Sequence, residues 1–286
     1  MSVDALLREL REDKVHGASW YFLKGIELLE LALRSGFDAN GIRSLLNELR
    51  SIRPGMASIT TLTYVIEQAL GKGFDLNIVI GKLRDRYERS YTNLANYLDR
   101  FPIMCGSRAI TISYSSAVKA ALTKWGKCLD MLYIMESRPG DEVMQAIKDY
   151  SSFVSRVIPI PDSSVAYFIK DVNYVVTGAD GLYSDGYFLN KVGTETLMIV
   201  AHRFNVKTIV ISETFKASIG GVTDVYSVNV NIGDFAVSVP LFDKVPFDLV
   251  DYLITDVGII KKPTSEVIEN LRSHFIGDVL NIGGEQ

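Results

Sequence analysis

The chain has 286 residues, 48% of them hydrophobic and 22% charged, a composition with a full apolar core and room for two domains or one large one. A net charge of −4 argues against a broad nucleic-acid footprint, and no uninterrupted apolar stretch is long enough to span a bilayer. Cys105 and Cys128 lack metal-ligand spacing and, read as two thiols, suggest a reducing compartment; with no apolar signal core in MSVDALLRELRED, a soluble cytoplasmic protein is expected. From residue 3 to about 100 the apolar spacing predicts helices only. Leu6, Leu7 and Leu10 share one face, and Gly17 to Arg34 repeats the pattern. Ile42 to Ile52 follows and is broken by Arg53-Pro54-Gly55, because a residue before proline avoids the α region. Ala57 to Leu70 comes next, and Asp75 can cap a long helix running to about Arg100. Phe101-Pro102 marks a boundary, giving an N-terminal helical domain (1–102) and a second domain (103–286).

Beyond it, short apolar runs alternate with helical spacing. Strands are expected at Ala109–Ile112, Met131–Met135, Tyr174–Val176, Lys207–Ser212 and Asp251–Thr255, with a further apolar run at Val154–Ile158. Helices are expected at 116–125, 141–150, 163–169, from Gly193 to Phe204, and at 264–275. Residues 177–193 read as a polar loop. Residues 213–247 read as irregular, with an alternating patch from Val225 to Val230. The alternation argues for an α/β fold with a Rossmann-like, doubly wound, mostly parallel sheet. Ligands of such sheets bind at the carboxyl ends of the strands.

Polar clusters follow the strands. In TISYSS (111–116), Ser115 or Ser116 can cap a helix with Tyr114 packed beside it, or the hydroxyls and N–H groups can cradle a phosphate. In ESRP (136–139), Arg138 can clamp an anion or simply sit at a turn. In ISETFK (211–216), Glu213 and Lys216 can pair with each other. Asp180 is a turn residue or a general base whose pKa a closed cleft would raise. Lys191, ahead of the Gly193-Thr194-Glu195 helix start, suits phosphate as a point charge. His16 and Arg53 each lie beside a glycine-bearing turn and read either as surface cations or as groups reaching over the sheet edge. Asp185-Gly186 reads as a tight turn, and His202 and His274 as structural or solvated. No serine–histidine–acid order, metal-ligand spacing or Gly-x-Gly-x-x-Gly fingerprint is present, so neither metal nor cofactor is expected.

The stretch GADGLYSDGYFLNKVGT (178–194) resembles the signature loop of the translation initiation factor 2B alpha/beta/delta subunit family. That family includes ribose-1,5-bisphosphate and 5-methylthioribose-1-phosphate isomerases. HGAS, RPGMAS, TISYSS, ESRP, ISETFK and FDKVPFDLVDYLITDVGII match in the family's order. The resemblance implies a helical domain on a Rossmann-like domain, and a dimer or higher oligomer formed through the latter. Its isomerases move hydrogen between C1 and C2 of a sugar 1-phosphate with a cysteine and an aspartate. The aspartate is similar in position to Asp180, but the cysteine position holds Ser113 and the histidine before it Ile112. A serine hydroxyl is a far weaker acid than a thiol. The phosphate-binding arginine before Gly-Ala is His16 here, followed by Gly17, while Arg53, Arg138, Asn190 and Lys191 match substrate-holding positions.

TISYSS looks more like the regulatory alpha subunit than like either isomerase. The resemblance therefore implies a non-catalytic binding protein for a sugar phosphate or nucleoside monophosphate. His16, Gly17, Arg53, Tyr114, Ser115, Arg138, Asn190, Lys191 and Lys216 would line its pocket, and proteins of translation initiation would be its partners. The alternative is an aldose–ketose isomerase using Asp180 with Ser113 or a water. A third reading is a structural subunit with a vestigial pocket.

Overall fold

The computed structural model describes residues 2–13, 16–218, 220–221 and 226–281. Val15 of the VHGAS stretch and Val225 of the alternating patch lie outside them. The described residues among the first hundred form five helices: α1 (Val3–Glu12), α2 (Ala18–Arg34), α3 (Ala39–Ile52), α4 (Ala57–Gly71) and α5 (Leu76–Arg100). Ser2, Asp38 and Asp75 cap α1, α3 and α5 through their side chains. Arg53 leaves the helical region before Pro54, and Gly55 takes φ +79°, which ends α3 at the expected place. The apolar faces of these helices pack together, but the core also takes in Phe215, Phe275 and Val279 from the far half of the chain. Phe22 stacks on Phe215 with ring centroids 4.6 Å apart.

The second half is the expected α/β sheet. Its elements are β1 (Ser107–Ile112), α6 (Ser116–Trp125), β2 (Leu129–Met135), α7 (Val143–Tyr150), β3 (Val157–Ile160), α8 (Val165–Phe168) and β4 (Tyr174–Gly178). Then come β5 (Gly181–Tyr183), β6 (Tyr187–Lys191), α9 (Thr194–Arg203), β7 (Lys207–Ile211), β8 (Ala217–Ser218), β9 (Ser227–Ile232), β10 (Phe235–Pro240), β11 (Phe242–Pro246), β12 (Tyr252–Thr255), β13 (Gly258–Lys261) and α10 (Ser265–Leu280). The main sheet runs β13-β12-β7-β4-β1-β2-β3, parallel except for the edge strand β13.

Alternate side chains feed two cores, because strand side chains have period two. Ile110, Val175, Val210 and Leu253 pack with α9 and α10 on one face. Ala109, Val176, Ile209 and Ile254 pack with α6 and α7 on the other. The chain runs outward from β1 to β2 and β3 on one side, and from β4 to β7 and β12 on the other. The strand order therefore reverses between β1 and β4, which is where such folds bind ligands.

Three expectations are corrected. The expected loop 177–193 contains the β5–β6 hairpin, which pairs with β11 and β8 in a four-stranded sheet. The strands are short and their partners distant, so no local pattern announces them. Residues 213–247, expected to be irregular, contain β8 and β11 of that sheet and the separate hairpin β9–β10. In β9–β10, Val228, Val230 and Ile232 oppose Val239, Val237 and Phe235, so six apolar side chains share one face. Ile232, Phe235 and Val237 are exposed. Third, Cys105 and Cys128 are joined in a disulfide rather than free, with Cα atoms 4.0 Å apart. They precede adjacent strands whose register pairs Ser107 with Leu129, so both lie at the end of the sheet opposite Ser113. The reducing-compartment argument from two thiols falls with that pairing.

The two halves are pinned by a buried ion pair. Arg86 of α5 donates to Asp256 after β12 at 2.6 Å and to Thr214 after β7 at 3.0 Å; Asp256 also accepts the Thr214 N–H at 2.6 Å. Arg86 and Asp256 are almost wholly buried. Removing one partner of such a pair costs far more than replacing both. Arg86→Met is therefore expected to lower unfolding stability in urea by about 3–5 kcal/mol, with much of the loss regained in Arg86→Met/Asp256→Leu. A loss below about 1 kcal/mol in the single variant would contradict the pin.

Candidate functional site

The reversal in strand order places Ser113, one residue past β1, and Asp180, two residues past β4, at the same carboxyl edge after adjacent strands. The loops after β2 and β7 border the same edge and bring Glu142 and Lys216. The small sheet supplies Lys191 from the end of β6. Asp180 is held by its N–H, which donates to the Leu189 carbonyl of β6 at 2.8 Å. Its carboxylate lies under the start of α2: a Cβ placed on Gly17 would stand 3.6 Å from Asp180 Oδ1, and the Ala18 N–H acts to lower its pKa. Gly17 offers no side-chain cap to α2, and a carboxylate from the other half of the chain stands near the free N–H groups there. Burial pushes the Asp180 pKa above the usual aspartate range and the charge of Glu142 adds to it, while Lys216, the Ala18 N–H and Lys191 oppose.

Each lysine of the cluster has its own carboxylate. Lys191 Nζ lies 2.9 Å from Glu142 Oε1, and the Ser113 hydroxyl donates to the same oxygen at 2.7 Å. Lys216 Nζ lies 2.8 Å from Glu213 Oε2, with both side chains buried. Glu213 also raises the pKa of Tyr91 on α5, after the larger effect of burial. The loop carrying Glu142 is built tightly. Ser113 and Ser137 both take positive φ (63° and 66°), and the Ser113 N–H donates to Ser137 Oγ at 2.7 Å. Asp162 accepts the N–H groups of Ser137 and Arg138, each at 2.8 Å. Gly140 sits against the ion pair: a Cβ there would lie 1.9 Å from Glu142 Oε2 and 2.4 Å from Lys191 Nζ.

The other expected site residues are placed differently. Arg138 is exposed and spends its guanidinium on Glu136 (2.7 Å) and Asp141 (3.0 Å). Arg53 donates to the Tyr21 hydroxyl at 3.0 Å and to the Asp13 carbonyl, and lies over the rings of Tyr21 and Tyr226. His16 bonds Asp13 at 2.6 Å and stacks on Trp20, so it joins Arg53 in a surface cluster at the entry to α2. Burial raises the Asp13 pKa, but the bonds from His16 outweigh it and hold the group below the usual value. Tyr114 donates to Asp149 at 2.9 Å, and Ser115 caps α6, the simpler of the two readings of TISYSS. Asn190 donates to Thr194 at 2.9 Å and steadies the start of α9. A cavity of about 140 Å³, lined by His202, Asn205, Lys207 and Asp251 among others, lies at the amino ends of β7 and β12 and touches none of these residues. Glu142 was missed from sequence; the glycine two residues before it is the one trace it leaves.

Residues 14–262 match the model of the initiation factor 2 subunit family. The chain belongs to that family. It is 31% identical over 276 residues to an eIF-2B subunit 2-like protein of Pyrococcus furiosus, covering 90% of this chain and 96% of the relative. It is 25% identical to a ribose 1,5-bisphosphate isomerase of Methanocaldococcus jannaschii, covering 77% of each. Among solved structures it resembles the translation initiation factor eIF-2B of Pyrococcus horikoshii OT3, with a TM-score of 0.79 and 26% identity over 91% of this chain and 97% of the other. Among the described residues, no helix is long and apolar enough to cross a membrane, and no cluster of three or more histidines, cysteines or carboxylates has metal-binding geometry.

A carboxyl whose folded pKa is raised binds its proton more tightly folded than unfolded, so its contribution to stability falls as pH rises from the usual aspartate range to the raised value. Asp180→Asn removes that penalty and keeps a polar side chain of nearly the same shape facing the start of α2. Urea titrations are expected to show the variant gaining on the wild type as pH rises through that window. A difference that stays flat or shrinks would contradict the buried-carboxyl assignment.

Proposed function

We propose that this protein is an initiation factor 2B-type regulatory subunit that binds a small phosphorylated ligand, a sugar phosphate or a nucleoside monophosphate, where the strand order reverses. The observation carrying this reading is the Lys191–Glu142–Ser113 cluster. Position 113 holds a hydroxyl where the isomerases hold a thiol, and that hydroxyl is committed to a carboxylate at 2.7 Å. A lysine with a hydroxyl beside it, near a helix N-terminus and a second buried lysine, suits phosphate. The eIF-2B-like relative matched over nearly its full length supports the same reading, as does the crystal structure similar at 26% identity. Oligomer formation through the C-terminal region is supported by the exposed apolar face of β9–β10, since a two-stranded ribbon is marginal until something packs on it. A cytoplasmic setting and contacts with translation initiation proteins rest on the family alone.

A specific observation favours a second reading, an aldose–ketose isomerase. Burial raises the pKa of Asp180 above the usual aspartate range, the direction a proton carrier needs, with the charges of Lys216 and Lys191 nearby. The relative named as a ribose 1,5-bisphosphate isomerase points the same way.

Calorimetry with ribose 5-phosphate and adenosine monophosphate tests the first reading. The wild type is expected to bind one of them, and Lys191→Ala to weaken it about tenfold or more, the scale of one charge-assisted hydrogen bond. No binding by the wild type, or equal binding by the variant, would contradict it. Turnover of ribose 1,5-bisphosphate or methylthioribose 1-phosphate that disappears in Asp180→Asn would establish the second reading instead.

A further inference from the structure

Glu142 precedes α7, and its side chain turns back across Gly140 so that one carboxylate oxygen meets both Lys191 Nζ at 2.9 Å and the Ser113 hydroxyl at 2.7 Å. An ammonium and a hydroxyl converging on one oxygen are the contacts that would hold an oxygen of a bound anion. The side chain of Lys191 is 8% exposed and that of Glu142 is 19% exposed, so Glu142 is the more accessible member of the pair. The site is thus filled by the protein's own anion. A neutral sugar hydroxyl cannot displace a carboxylate from a buried ammonium. A ligand carboxylate exchanges like for like and must compete with a tethered rival. A phosphate monoester brings about −1.5 to −2 charges and three acceptor oxygens to the same two donors.

We propose that Glu142 is the specificity-determining residue of this site: it occupies the anion position on Lys191 and Ser113 and yields it to a phosphate monoester dianion, excluding sugar acids and uncharged sugars. The inference rests on the binding reading above and names the residue that sets its ligand class. Glu142 turns out to solvent as phosphate enters, a rotation its unbranched, partly exposed side chain makes without moving the strands.

The test compares ribose 5-phosphate, gluconate and ribose by calorimetry on the wild type, Glu142→Gln and a control, Glu67→Gln, which removes a surface carboxylate paired with Arg50. The wild type is expected to bind ribose 5-phosphate alone. Glu142→Gln, free of the resident charge, is expected to bind it at least tenfold tighter and to gain gluconate; the control should match the wild type. Binding of ribose 5-phosphate by Glu142→Gln alone overturns the proposal, because the wild-type carboxylate would then not yield to the phosphate. Wild-type binding that Glu142→Gln leaves equal or weaker overturns the proposal while leaving the binding reading intact. If neither protein binds any probe, both fall. Should Glu142→Gln fail to fold, Glu142→Asp replaces it: the shorter side chain cannot reach Ser113 and Lys191 together, so tighter ribose 5-phosphate binding supports the proposal and unchanged binding overturns it.

Discussion

The Asp180 carboxylate lies against the start of α2, where a Cβ on Gly17 would stand 3.6 Å from its Oδ1, and much of the molecule is arranged around that meeting. It is a contact between halves: the helix belongs to the all-α part, and the carboxylate hangs from the carboxyl end of the central strand β4. Helix N-termini favour anions and buried carboxylates resist ionising, so the contact places two opposed preferences on one group. Around it, the aromatic packing of Phe22 on Phe215 and the Arg86–Asp256 pair keep the helical half seated on the sheet edge. Neither half buries its surfaces alone, since the helical core borrows side chains from α10 and from the segment after β7.

Charge neutrality governs the chemistry of the site. Three carboxylates (Asp180, Glu142 and Glu213) face two lysines (Lys191 and Lys216) in a region largely closed to water. Each lysine keeps its own carboxylate, and burial of Asp180 disfavours its charged form. On the proposed reading, an entering anion would replace a carboxylate rather than fill a vacant positive hole. Arg138 and Arg53 can therefore be turned to other work without leaving the cluster short of cation. In the described structure those two arginines stabilise a turn and the entry to α2.

The parallel sheet was legible because its strands are buried on both faces and read as short β-branched runs, and the edge on which the loops converge follows from its topology. Asp180 and Lys191 stood out because glycine-punctuated polar loops after such strands have few structural reasons to carry charge. The β5–β6 hairpin was hidden by its brevity and by partners far along the chain. Glu142 was hidden because a glutamate before a helix is ordinary; only its turn back over Gly140, a contact no Cβ would permit undisturbed, makes it part of the site. Tyr114 and Arg138 were ambiguous for the converse reason. Their partners Asp149, Glu136 and Asp141 are surface carboxylates that decide the matter by proximity, which sequence does not report. The cysteines were read as free because their pairing depends on strand register, known only once β1 and β2 are aligned.

The most direct measurement is a crystal structure of the protein soaked with ribose 5-phosphate. The account requires phosphate density on Lys191 Nζ and the Ser113 hydroxyl, the sugar directed toward Asp180, and the Glu142 carboxylate withdrawn. Density elsewhere, such as on the Arg53–His16 surface cluster, with the Lys191–Glu142 pair undisturbed, would contradict it.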